Sequence, residues 1–204
     1  RRPGAVVIDI PRDVQQEMGV VDFTDRPFPK RFGPVPDPDL GIVARMADAL
    51  AKAERPLIIA GGGVRIAEAS QELVALAELL MCPVATSLMG KGCIPENHAL
   101  SLGMLGMHGT IAANKIVPET DVLLAVGMRF TDRTTGKVEK FCPDAKIIHI
   151  DIDSSEIGKN IRPHVPIVAD AKRALKAICD RLLQSFKKKE RSLWMSRVHE
   201  QKKK

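Results

Sequence analysis

Five short runs of nearly continuous apolar residues recur along the chain: PLIIA (56–60), PVAT (83–86), DVLLAVG (121–127), AKIIHIDID (145–153) and VPIVAD (165–170). Strands that keep one wet face alternate apolar and polar residues, whereas continuous apolar strands are buried on both faces. The segments between them have helical spacing. Val43, Met46, Ala47 and Leu50 fall on one stripe, as do Leu73, Leu76, Ala77 and Leu80, and later Leu175, Ile178 and Leu182. Asp39 stands where it would cap the first of these helices, and another helix is expected near Ile111–Ile116. Strand and helix in alternation predict an α/β, Rossmann-like doubly wound parallel sheet of about six strands, with helices on both faces, over residues 39–186.

The flanks read differently. AVVIDIP near the N-terminus predicts one short buried strand ended by Pro11, the end of a preceding domain over residues 1–21. Residues 22–38 hold five prolines without apolar periodicity and predict a linker. Residues 187–204, KKKERSLWMSRVHEQKKK, carry a net charge of +6 and read as a basic, solvated helix or linker toward a further domain. That segment accounts for the whole excess of positive charge, so the body is neutral and a basic nucleic-acid face is not expected. Aromatic poverty, with six Phe, one Trp and no Tyr, also counts against base-stacking platforms. No run approaches the roughly 20 apolar residues of a membrane span, and no membrane partner is expected. Cys82, Cys93, Cys142 and Cys179 form no C-x-x-C pair and are expected as reduced thiols in a reducing compartment, with no metal site.

In such sheets ligands bind beyond the carboxyl ends of the strands. Gly61-Gly62-Gly63 follows the first apolar run and suits either a tight strand-to-helix turn or close approach of a phosphate; the G-x-G-x-x-G pattern is absent, since position 66 is Ile. Asp151 is placed to accept hydrogen bonds from ribose hydroxyls, and Asp153 is expected to cap a turn containing Glu156. Asp170 suits either role. Arg129, at a strand end, is expected to pair with a diphosphate, while spacing alone leaves Arg133 undecided; Asp132 could hold either arginine in a surface ion pair. LGMLGMHGT (102–110) reads as a long glycine-bearing loop. Its Met104, Met107 and His108 suit a flat surface for a planar ring, but on the residues alone core filling is the preferred reading.

LMGKG, LGMLGMHGT, GMRFTDRTTGK and HIDIDSSEIGKN, in this order, closely resemble the large catalytic subunit of acetohydroxyacid synthase (acetolactate synthase). PGAVVIDIPRDVQ is similar to the end of that enzyme's first, pyrimidine-binding domain, and residues 39–186 to its central domain. The resemblance implies a thiamine-diphosphate enzyme that condenses two pyruvates, or pyruvate with 2-ketobutyrate, in branched-chain amino-acid biosynthesis. It implies FAD in the central domain, with thiamine diphosphate and magnesium held only in the full-length enzyme. By motif the FAD contacts would be Gly62, Gly63, Ser87, Leu88, Leu105, Gly106, Met107, His108, Gly127, Met128, Arg129, Arg133, Asp151, Ile152, Glu156, Asp170 and Ala171. Met107, His108, Asp132 and Arg133 would also border the substrate channel. Thr131 departs from the family, which has an acid there.

The same resemblance implies partners: the other domains of the chain, a homo-oligomer and a small regulatory subunit. It implies a bacterial or archaeal cytoplasm, or a plastid. No catalytic residue is expected here, and residues 1–204 alone are expected to lack synthase activity. The competing readings are a stand-alone nucleotide-binding regulatory module, an NAD(P)-dependent oxidoreductase, or the central domain of another thiamine enzyme such as pyruvate oxidase or glyoxylate carboligase.

Overall fold

The computed structural model describes residues 5, 7–20, 37–185 and 190–203, in two units, Arg1–Val35 and Pro36–Lys204. The described part of the first unit corrects one expectation. Residues 7–11 form no strand and join no ladder among the described residues, and α1 (Arg12–Gln16) follows directly, its Gln15 side chain donating to Ile10 O at 2.7 Å. Val7 and Ile8 are 91% and 78% exposed. A strand needs a neighbour to complete its hydrogen-bond ladder, and the described residues supply none. The expected linker lies outside the described residues, except for Asp37 and Pro38.

The second unit is built on six parallel strands: β1 (Pro56–Ala60), β2 (Val84–Thr86), β3 (Ser101–Met104), β4 (Val122–Val126), β5 (Lys146–Asp151) and β6 (Val165–Val168). Their order is β3-β2-β1-β4-β5-β6. The chain therefore leaves β1 toward one edge and then crosses back to β4, so the topological switch point lies between β1 and β4. By the right-handed rule for crossovers between parallel strands, connections running toward opposite edges cover opposite faces. Both central strands are buried throughout, as their composition requires.

The helices are α2 (Leu40–Lys52), α3 (Gly62–Ile66), α4 (Ser70–Leu80), α5 (Ile111–Ile116), α6 (Asp132–Thr135), α7 (Val138–Phe141), α8 (Ala171–Ser185) and α9 (Ser192–Lys202). Asp39 caps α2 by accepting from Ile42 N at 2.9 Å, and Thr110 caps α5 by accepting from Ala113 N at 3.1 Å. Leu73, Leu76, Ala77 and Leu80 of α4 are fully buried, and so are Leu175 and Ile178 of α8. α2 and α4 pack on α8, while α9 packs on α5.

Three local expectations change. Ser101–Met104, expected within a loop, is the edge strand β3, and it pairs with β2 through a register shift at Val84/Ala85. Its glycine at 103 and short length hide a strand signal, which tertiary pairing supplies. β6 is an edge strand with one wet face, leaving Val168 exposed. Finally, α9 is docked rather than solvated: Trp194, Met195 and Val198 are buried. Arg191 donates to the carbonyls of Ala53 and Leu50 at 3.1 Å each and to that of Leu80. One guanidinium thus satisfies carbonyls left over at the C-terminal ends of α2 and α4. Trp194 Nε1 donates to Pro56 O at 3.0 Å, and Lys202 Nζ to Ala99 O at 2.9 Å. Among the described residues, no helix is long and apolar enough to cross a membrane.

Candidate functional site

The sequence-predicted residues all lie at one rim of the sheet, just beyond the carboxyl ends of its strands. Leu105–His108 follow β3, Ser87 and Leu88 follow β2, and Gly62 and Gly63 follow β1. Gly127–Arg129 follow β4, Asp151 and Ile152 close β5, and Asp170 and Ala171 follow β6. With strands spaced about 4.8 Å apart, the row runs on the order of 24 Å, long enough for an extended dinucleotide.

At the switch point the glycines pack on one another. Gly63 N donates to Gly127 O at 2.9 Å, and a Cβ on Gly63 would come 2.6 Å from Gly127 Cα. Gly127 itself has a φ of +54°. The close approach inferred for the GGG turn is therefore made first to the β4 loop, which settles why these residues are small. On Gly62, a Cβ would lie 2.9 Å from Met89 Cβ.

A second junction joins the loop after β3 to α6. Met107 N donates to Arg133 O at 3.0 Å, and a Cβ on Gly106 would come 2.4 Å from that same carbonyl. The bond sets Met107 beside Arg133, with His108 and Asp132 as their chain neighbours. Their side chains are exposed, Met107 by 66%. Leu88 (68%), Met89 (62%) and Ile111 (56%) add further apolar surface beyond the strand ends. Within LGMLGMHGT, Leu102 and Leu105 are buried in the core, Met104 is half-buried and Met107 is exposed.

The charged groups divide by burial. Arg129 and Arg133 are exposed, and among the described residues neither guanidinium forms an ion pair. Asp132 Oδ1 instead accepts from the Arg133 backbone N at 2.8 Å. Asp151 is buried and accepts from Asp153 N at 2.9 Å. Burial pushes its carboxyl above the usual carboxylate range, with the Asp153 amide opposing. Glu156 is also buried, 3.5 Å from Lys159 Nζ. Asp153 holds a turn, accepting from Ser155 N at 3.0 Å, and Asp170 caps α8 by accepting from Arg173 N at 3.1 Å. Thr131 puts its hydroxyl 3.2 Å from that of Thr134. Burial disfavours the thiolate form of the three most buried cysteines, raising Cys93 to about 11 and Cys142 to about 12, and Cys82 further still.

Two residues at this rim were not anticipated. His149 is fully buried on β5 with Nε2 3.0 Å from Met128 O, and Asn160 Nδ2 donates to Phe130 O at 2.7 Å. Their carbonyl partners flank Arg129. The pattern His149–Ile150–Asp151 held the signal, since residues two apart on a strand share a face.

Residues 43–178 match the family model described as thiamine pyrophosphate enzyme, central domain. The chain belongs to this family. It is 49% identical over 207 residues to the "Probable acetolactate synthase large subunit" of Methanocaldococcus jannaschii, covering 99% of this chain and 34% of that protein. It is 43% identical over 184 residues to the acetolactate synthase large subunit of Buchnera aphidicola subsp. Schizaphis graminum, covering 88% of this chain and 32% of that one. A third relative is acetolactate synthase 2, chloroplastic, of Nicotiana tabacum: 46% over 180 residues, 87% of this chain and 27% of that protein. The chain thus spans about a third of the length of the curated relatives it matches.

Proposed function

We propose that this central domain serves an acetolactate synthase large subunit and that its carboxyl rim is the seat of FAD. The observation that carries the reading is the row of strand-end residues in a domain 41–49% identical to proteins of that name. The donor set suits a flavin dinucleotide. Arg129 and Arg133, without ion-pair partners among the described residues, are guanidiniums suited to bidentate contact with a diphosphate. Asp151 is a carboxylate held out of water, for which hydroxyl donors would relieve the cost of its charge. Met107 and Leu88 offer apolar surface to a ring, and His108 one polar edge.

In the acetolactate synthase reaction FAD has no net redox task. The carboligation of two pyruvates, or of pyruvate with 2-ketobutyrate, belongs to thiamine diphosphate and magnesium bound by other domains. In this reading the domain contributes no catalytic residue; Met107, His108, Asp132 and Arg133 line the approach of substrate. The partners are those other domains, a second catalytic subunit and a small regulatory subunit.

The test is quenching of flavin fluorescence on titration of FAD with the 204-residue chain and with Arg129→Met. Saturable quenching by the wild type, weakened roughly tenfold or more by loss of one charged hydrogen-bonding partner, is expected. Equal quenching by both proteins contradicts the assignment of Arg129.

A further inference from the structure

We propose that His149 is a positioning residue that, with Asn160, fixes the loop presenting Arg129 to the FAD diphosphate; this rests on the FAD reading of the rim. Arg129 lies on an exposed point of a segment whose neighbours, Met128 and Phe130, are buried. The carbonyls of the residues on either side of it are both tied down by side chains from the next strand and its following loop. His149 reaches Met128 O at 3.0 Å and Asn160 reaches Phe130 O at 2.7 Å. The Arg129 carbonyl accepts from Thr131 N at 2.9 Å, which closes the segment on itself.

The chemistry of His149 fits this task better than a core-filling one. A carbonyl can only accept, so Nε2 carries the proton and the ring is a committed donor. Its Nδ1 is buried and has no partner among the described residues. The ring also lies edge-on to Phe130, with centroids 5.0 Å apart, and Phe130 in turn packs edge-on to Phe141 at 6.0 Å. Burial holds the imidazole below its usual value, opposed by the Met128 carbonyl and by Asp151 and Glu156 nearby. A neutral ring with one N–H has a single possible use for it here. A hydrocarbon of similar shape would fill this space without leaving a buried nitrogen unsatisfied, so the bond to Met128 is the feature that histidine supplies and a phenyl ring lacks.

A guanidinium on a pinned loop loses less freedom when it engages an anion than one on a mobile loop. The effect of His149 on binding should therefore run through Arg129. The experiment is a double-mutant cycle read by FAD affinity on the 204-residue chain: wild type, His149→Phe, Arg129→Met and the pair. His149→Phe is expected to weaken FAD roughly tenfold in the wild-type background, the scale of one hydrogen bond, and less than about twofold beside Arg129→Met. His149→Gln, whose amide can reach the same carbonyl, is expected to restore most of the affinity. Asn160→Ala, at an exposed position, runs the same cycle from the other side should His149→Phe not fold.

Equal losses from His149→Phe or Asn160→Ala with and without Arg129 would overturn the proposal, since a general structural defect has that signature. So would unchanged affinity in the folded single variants, or no rescue by glutamine. Failure of the wild type to bind FAD would instead remove the reading of the rim, and this inference with it.

Discussion

The two rims of the sheet are built on opposite plans. At the amino-terminal rim, a set of polar groups is answered from within the chain. Arg191 takes three helix-end carbonyls, and Trp194 takes Pro56 O. Asp121 accepts from Glu54 N at 2.7 Å and Arg55 N at 2.9 Å, and Arg197 grips Glu119 at 2.7 Å. At the carboxyl rim, Arg129 and Arg133 point outward without partners among the described residues, large apolar side chains are exposed, and Asp151 is buried at the expense of its charge. A surface that only had to be stable would resemble the first rim. The second keeps unmet bonding capacity, which is how a binding surface differs from a sealed one.

The largest effect that would sharpen this contrast is loss of the arginine at the sealed rim. Arg191→Met strands three carbonyls in an apolar site, and with each unsatisfied group costing about 1–3 kcal/mol, the chain should lose on the order of 3 kcal/mol or more. The midpoint of chemical denaturation measures this, and FAD affinity of the remaining folded protein should be unchanged. Next is Gly63→Ala, whose new Cβ would sit 2.6 Å from Gly127 Cα. Because backbone must move, a loss of about 2–3 kcal/mol is expected, and FAD binding should fall with it, since this junction belongs to the open rim.

Asp151→Asn should move stability and binding in opposite directions. A carboxyl whose value is raised by folding contributes most below its unfolded value near 3.8, and that contribution is lost as pH rises through the folded value. At neutral pH its charge therefore costs stability, and the amide can still accept from Asp153 N. Thermal unfolding without ligand should rise modestly between pH 5 and 8, while FAD affinity falls; a drop in both would show Asp151 to be structural. The smallest effect is at Thr131, whose hydroxyl makes no capping bond to α6. Thr131→Asp puts an acid at that helix start and should add about 0.5–1 kcal/mol, read as a shift in unfolding midpoint.

How legible these rims were in the sequence follows from the physics of each. The central sheet was readable because PLIIA and DVLLAVG are apolar on both faces, and five strand ends with their glycines, Arg129 and Asp151 could be placed at the carboxyl rim. β3 was not, since SLGM carries no local signal and becomes a strand only by pairing with β2. Nor was the sealed rim. Its agents sit in a segment whose net charge dominates its composition, and only the spacing of Trp194, Met195, Val198 and Gln201 hints at a buried face. Arg191 finds its partners at Leu50, Ala53 and Leu80, more than 100 residues away in sequence, beyond the reach of any local pattern. His149 stood in the right strand, two residues from Asp151, but its partner is a backbone carbonyl that sequence does not reveal.

The central claim, that the open rim seats FAD, is tested most directly by passing the 204-residue chain through gel filtration after incubation with FAD and recording the visible absorption of the protein peak. The account predicts a flavin band co-eluting with the wild type and absent from an Arg129→Met/Asp151→Asn double variant of equal folded content. A colourless wild-type peak, or an equal flavin band on both proteins, would contradict it.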